Sequence, residues 1–199
     1  MDAHWSFPDP THSKEALAFA KHGDGSYWEE HRIARKNRPA TSSEESKLVQ
    51  MFNKSVLGER WKTVRDAIAG LPDPKSEKAS GFLNHEFRDG ARTYAGHSGS
   101  VLDEPSKTIK AGAHGVPGGE NMVIFDDGSL RYYTVRESAR IQTFPDDYQF
   151  CGSWTESMRQ IGNAVPVRLA SIIGMSVMKQ IERLGVSDAE RRKADLKAV

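Results

Sequence analysis

Eight glycines fall between Gly81 and Gly119, at positions 81, 90, 96, 99, 112, 115, 118 and 119. A run so rich in glycine cannot hold a helix of ordinary length, because each glycine weakens a helix by about 1 kcal/mol relative to alanine. The middle of the chain must therefore be loops and short strands, with helices confined to either side. Within it, Lys107 to Lys110 is expected as a short strand. Just beyond, Met122 to Phe125 and Leu130 to Thr134 flank Asp127-Gly128, a dipeptide that favours tight turns, so a β-hairpin is expected over residues 121–134.

The flanking helices announce their starts. Ser42 precedes Glu45, Thr63 precedes Asp66, Thr134 precedes Glu137 and Ser153 precedes Glu156, each at the three-residue spacing by which a side chain caps the first turn. The first leads into Leu48, Met51, Phe52 and Val56, and the second is stopped by Gly70 and Pro72. The third must end before Pro145, because the residue ahead of a proline avoids the helical region, and the fourth is expected to end near Gly162. Pro166 then opens the longest element, carrying Leu169, Ile172, Ile173, Val177, Ile181 and Leu184 at helical spacing up to Gly185. Such a stripe needs a surface to bury it.

These elements define an α+β chain. An extended leading segment (1–40), interrupted by Pro8, Pro10 and Pro39, precedes an irregular β-rich region with a hairpin (41–134), a helical segment (135–185) and a polar tail (186–199). The length of 199 residues suffices for one core, and the 37% hydrophobic fraction, with 17 glycines counted, reaches roughly 46%, the low edge of globular usage. Lys+Arg number 28 against 27 Asp+Glu, which excludes a histone-like binder held by net charge alone. One cysteine, Cys151, excludes an internal disulfide framework and thiolate-rich metal sites, and implies a reducing, cytoplasmic setting. No apolar run is expected to reach the roughly 18 residues of a membrane span. The seven histidines form no His-x-x-x-His pair, and no Gly-x-x-x-x-Gly-Lys phosphate loop is present.

Two segments are more specific than any propensity. The run from Arg131 to Pro145, Arg-Tyr-Tyr-Thr-Val-Arg-Glu-Ser-Ala-Arg-Ile-Gln-Thr-Phe-Pro, and Gln160-Ile-Gly-Asn-Ala-Val-Pro166 resemble the ninth and tenth motifs of C5-cytosine DNA methyltransferases. Pro105-Ser-Lys-Thr-Ile109 and Tyr94-Ala-Gly-His-Ser-Gly-Ser100 resemble the end of that family's target-recognition region. The resemblance implies that Arg136, Glu137 and Arg140, with Gln142 in the same motif, organise the recognition region through buried ion pairs. It implies that Gly162, Asn163 and Ala164 form a turn beside S-adenosylmethionine, with Asn163 and Ala164 as cofactor-binding residues. The long helix would pack on a cofactor-binding domain missing from this chain. Double-stranded DNA is the implied partner, with Arg88, Arg92, His97, Ser98 and Ser100 facing bases and Lys107, Thr108 and Lys110 at phosphates.

The departures from the family pattern carry equal weight. The family's Phe-x-Gly-x-Gly cofactor loop, Pro-Cys-Gln nucleophile and Glu-Asn-Val segment are absent from this sequence. Cys151 lies between Phe150 and Gly152, outside any Pro-Cys-Gln context. The expected role is thus DNA recognition within a cytosine-5 methyltransferase of a restriction-modification system, beside a catalytic chain that carries the missing motifs. A noncatalytic DNA-binding or regulatory module of the same descent is the alternative.

Overall fold

The computed structural model describes residues 5–52, 58–93, 98–111 and 121–183. These divide into two compact units, one of residues 10–164 and the other of residues 1–9 with 165–199.

The larger unit begins with β1 (His12–Ser13) and α1 (Lys14–Ala18), where the Ser13 hydroxyl accepts the Ala16 N–H at 3.1 Å. A π-helical turn, Phe19–Gly23, follows, and Gly25 at φ +77° reverses the chain into α2 (Ser26–Glu30). Leu17, Ala20, Tyr27 and Trp28 bury one another there, with Ile33 packed against them. The Trp28 indole donates to the Lys21 carbonyl at 2.6 Å. Residues 14–30 are therefore mostly helical, where the sequence led us to expect an extended leader. Helices of five residues are too short to leave a readable period, and here Tyr27 and Trp28 form a small core across the Gly25 turn.

Next come α3 (Ser43–Met51), β2 (Glu59–Arg60), which pairs in parallel with β1, and α4 (Val64–Ile68). Reciprocal side-chain caps at Ser42/Glu45 and Thr63/Asp66 start the two helices as their spacing indicated, while Val56 lies outside the described residues. The glycine-rich region contains no α-helix among its described residues. It holds β3 (Ser100–Val101), parallel to β4 (Met122–Ile124), which pairs antiparallel with β5 (Leu130–Tyr132). The expected hairpin is thus present. Its loop has three residues: the Phe125 carbonyl accepts the Gly128 N–H at 2.9 Å, Gly128 takes φ +80°, and Phe125 N–H donates to the Ser129 carbonyl at 2.9 Å. That is a type I turn closed by a left-handed glycine.

Two helices complete the unit, α5 (Val135–Ile141), capped reciprocally by Thr134 and Glu137, and α6 (Trp154–Asn163), begun by Ser153. Val64, Leu102, Ile109, Val123, Tyr133, Val135, Ala139, Phe150, Met158 and Ile161 form the main core, joining the hairpin to α4, α5 and α6.

In the smaller unit, α7 (Val167–Arg183) begins at Pro166, whose carbonyl accepts the Ala170 N–H at 3.0 Å. The Trp5 indole donates to Ser176 Oγ at 3.1 Å, and the Trp5 and Phe7 rings pack at 4.7 Å. Leu169, Met175, Val177 and Met178 are exposed; Leu184, Gly185 and the tail lie outside the described residues. One expectation needs correction. Residues 154–182, which comprise α6 and most of α7, include an 18-residue window apolar enough to cross a membrane by composition. The sequence reading missed it because Arg168 and Lys179 interrupt the apolar run.

Buried charge ties the N-terminal part of the larger unit to α4. Asp66 accepts from Arg60 at 2.6 and 2.8 Å, from Thr63 N–H at 2.7 Å, and faces His31 at 3.0 Å. Asp103 accepts from Arg65 at 2.6 Å and Tyr27 at 2.7 Å. Burial acts to raise both carboxyls, but these hydrogen bonds outweigh it and hold both below the usual carboxylate range. A depressed folded value stabilises the native state above the unfolded value, about 3.9 for Asp, and the contribution is lost as pH falls below it. The melting temperature of this chain should therefore hold from neutral pH to about pH 5 and drop steeply below about pH 4. Asp66→Asn should lower the neutral melting temperature and shrink the acid drop, read by circular dichroism; an unchanged acid drop would contradict the assignment.

Candidate nucleic-acid interface and cofactor edge

The first turn of α5 aims Arg136 into the protein. The residue is 1% exposed, and its guanidinium donates to three backbone carbonyls: Leu83 at 2.9 Å, Pro145 at 3.0 Å and Tyr148 at 2.6 Å. Its own N–H donates to the Asn84 carbonyl at 2.8 Å. The ion pair expected for Arg136 is replaced by this carbonyl clamp, and burial lowers the guanidinium pKa from its ordinary value. Asn84 adds a second tie, exchanging side-chain hydrogen bonds with the Phe150 backbone at 2.8 and 3.0 Å.

Glu137 does form a buried pair, with Arg131, both oxygens being bound at 2.6 Å, while one also accepts the Thr134 N–H. Arg131 was overlooked in the sequence; its signal was an arginine six residues ahead of a capping glutamate, on the strand that feeds the helix. Arg140 grips Asp146 at 2.7 and 2.6 Å and the Ala69 carbonyl at 2.7 Å, which ties α5 to the end of α4. The Gln142 amide donates to the Ile161 carbonyl at 3.2 Å, linking α5 to the last turn of α6.

That last turn meets the backbone of Lys110 and Ala111. A Cβ at Gly162 would collide with the Ala111 nitrogen and stand 2.7 Å from the Lys110 carbonyl carbon, so only glycine admits this approach. Lys107–Lys110 is not the expected strand. The backbone of Lys110 is instead bracketed by the buried Asn121 side chain, which accepts its N–H at 3.3 Å and donates to its carbonyl at 3.2 Å, supplying what a neighbouring strand would have given. Gly162 and Asn163 belong to α6 rather than to a turn, and the chain leaves the helix at Ala164. Asn163 is exposed and Ala164 half-buried. The structure thus brings Lys110 and Ala111 against the helix end that carries Asn163.

The remaining candidates separate. Lys107, Thr108 and Lys110 are exposed, and the Lys107 ammonium donates to Ser98 Oγ at 2.6 Å. Ser100 is a correction: it is 3% exposed and its hydroxyl accepts the Lys107 N–H at 3.0 Å, so it serves the local backbone rather than an open surface. Arg88 and Arg92 are exposed on an irregular segment, with the Arg88 guanidinium 5.4 Å from the Trp154 ring centre, at the opposite end of α6 from Gly162. Arg88 also lines a cleft of about 570 Å³ with Lys75, Phe87 and Arg131. His97 lies outside the described residues.

Cys151 is exposed, and its carbonyl accepts from Gln160 at 3.3 Å. The four described histidines are engaged elsewhere: His12 with Thr11, His22 with Glu45 and Thr41, His31 with Asp66, and His85 with Thr134 and Pro72. None stands as a base for the thiol. Glu30, His31 and Asp66 have metal-ligand atoms within 4.8 Å of one another, but Arg60 already serves as their cation, 2.7 Å from Glu30 and 2.6 Å from Asp66.

Comparison with known proteins fits this frame. A family model for C-5 cytosine-specific DNA methylase matches residues 11–179. The chain is 35% identical over 145 residues to the type II methyltransferase M.MthTI of Methanothermobacter thermautotrophicus, covering 60% of this chain and 44% of that protein. It is 52% identical over 96 residues to M.NgoFVII of Neisseria gonorrhoeae, covering 48% and 22%. A DNA (cytosine-5)-methyltransferase of Paracentrotus lividus, PliMCI, is 48% identical over 61 residues, covering 31% and 4%. The chain therefore belongs to the C-5 cytosine-specific DNA methylase family, whose methyl donor is S-adenosylmethionine. It spans less than half the length of these relatives.

Two substitutions test the frame. Arg136→Lys keeps the charge but cannot meet three carbonyls, and should cost about 2–4 kcal/mol in urea unfolding; a loss within error of zero would contradict the clamp. Gly162→Ala gains about 1 kcal/mol of helix propensity. It should nonetheless destabilise by about 1–3 kcal/mol, since backbone lies where the methyl must go, and a more stable variant would show that the contact is not close.

Proposed function

We propose that this chain is the DNA-recognition and cofactor-closing part of a DNA (cytosine-5-)-methyltransferase of a restriction-modification system, its relatives being named type II methyltransferases. It acts with a catalytic portion outside this sequence that carries the Pro-Cys-Gln nucleophile and the Phe-x-Gly-x-Gly loop. The observation that supports this best is the seat of Lys110 and Ala111 on Gly162. It puts a segment bearing exposed cationic and hydroxyl side chains beside the helix end that bears Asn163.

Methylation at C5 needs a thiolate at C6, a carboxyl group at N3 and a cytosine turned out of the duplex. None of these groups is assigned to this chain. Its own residues bind and orient. Lys107, Thr108 and Lys110 present donors suited to phosphate oxygens, and Arg88, Arg92, His97 and Ser98 supply contacts to the DNA grooves. The exposed Asn163 amide carries both donors and an acceptor, which fits one polar edge of S-adenosylmethionine, with Ala164 beside it. The cofactor, when bound, supplies the methyl group. Most of its contacts come from the catalytic portion, whose cofactor-binding domain also covers the apolar residues of α7. The working enzyme is cytoplasmic.

The test is reconstitution. Purified chain mixed with a catalytic portion bearing the missing motifs should transfer labelled methyl groups to duplex DNA, while neither part alone does so. Cys151→Ala should leave the reconstituted rate within about twofold, a change of under about 0.5 kcal/mol in the barrier. Methyl transfer by this chain alone, abolished by Cys151→Ala, would contradict the division of labour.

A further inference from the structure

The segment 107–110 is held like a strand although it lies in none. The Lys107 N–H donates to the buried Ser100 hydroxyl at 3.0 Å, and the Lys107 carbonyl accepts from Ser106 Oγ at 2.8 Å. Ile109 is buried in the main core. Lys110 exchanges two hydrogen bonds with the side chain of Asn121, which is fully buried and whose carbonyl accepts the Tyr133 N–H at 3.0 Å. Ser100 belongs to β3, and Asn121 immediately precedes β4. The central sheet thus reaches out through two polar side chains to fix a loop on either side of Ile109. Between those fixed points Lys107 and Thr108 are exposed.

We infer that Ser100 and Asn121 are positioning residues, which hold Lys107 and Thr108 as a rigid ledge for a DNA backbone phosphate. The inference rests on the DNA-recognition reading above. The chemistry suits the ligand, since an ammonium and a hydroxyl on adjacent residues offer donors to phosphate oxygens. Holding the backbone beforehand removes ordering cost from binding. Asn121 is well suited to the task because its side-chain amide has the donor and acceptor of a peptide group, so it can complete a ladder where the chain itself does not run alongside.

The salt dependence of DNA binding tests this, because its slope counts phosphate contacts and a change in global stability leaves it unaltered. Binding of the full chain to a fluorescein-labelled duplex is followed by anisotropy across a potassium chloride series. Lys107→Gln should lower the slope of log K against log salt by about 0.9. Asn121→Ala and Ser100→Ala, which leave every charge in place, should each lower it by at least about half as much. Adding Lys107→Gln to either should then lower it by less than Lys107→Gln does alone, as coupled sites require. Ser100→Thr, which keeps the hydroxyl, should restore the original slope. If Asn121→Ala does not fold by circular dichroism, Ser100→Ala carries the test. Unchanged slopes in the positioning variants, or strictly additive effects with Lys107→Gln, would overturn this inference alone. Absent or salt-insensitive binding by the unsubstituted chain would overturn it together with the DNA-recognition reading.

Discussion

The larger unit depends on one buried cation. Arg136 enters the interior from the first turn of α5 and meets carbonyls of Leu83, Pro145 and Tyr148, so two irregular segments distant in sequence are fixed to one helix. A buried guanidinium left without acceptors would be costly, and a carbonyl left without a donor only somewhat less so. The loops and the helix are therefore stable in this arrangement only together. Glu137, the next residue, binds Arg131 of the hairpin and caps α5 in the same step. Two adjacent residues thus join the glycine-rich region, the hairpin and the loop before α6.

From that frame the candidate site follows by short steps. Gln142 at the end of α5 holds the Ile161 carbonyl, and Gly162, one residue further, accepts the backbone of Lys110 and Ala111. Asn163 and the segment 107–111 are thereby placed at the same helix end. On the proposed reading, this arrangement presents DNA and one edge of a cofactor to chemistry carried elsewhere. Cys151 is exposed, and the histidines among the described residues are all engaged with other partners.

Much of this was legible because it is local. The Ser42/Glu45, Thr63/Asp66 and Thr134/Glu137 pairs are caps within one turn, and the Asp127-Gly128 hairpin closes on itself. The family membership was readable in the runs Arg131–Pro145 and Gln160–Pro166. What stayed hidden involves partners far apart in sequence. Asn121 standing in for a strand beside Lys110, the parallel pairing of β3 with β4, and carbonyls as the partners of Arg136 leave no spacing to read. The small core around Tyr27 and Trp28 escaped notice for a different reason, since its helices are too short to show a period. Ser100 shows where a resemblance does not reach the single residue, because a serine in a loop implied to face bases proved to be a buried backbone ligand.

On the proposed reading, this chain recognises DNA while the attacking thiol lies outside it. A duplex carrying 5-fluorocytosine at the target position tests it most directly, because fluorine at C5 blocks the elimination that releases the enzyme and leaves the thiol covalently attached to the base. Peptide mapping of the adduct formed by the reconstituted enzyme with S-adenosylmethionine should place the DNA on a cysteine of the catalytic portion, with the Cys151 peptide recovered unmodified. An adduct on Cys151 would contradict the account.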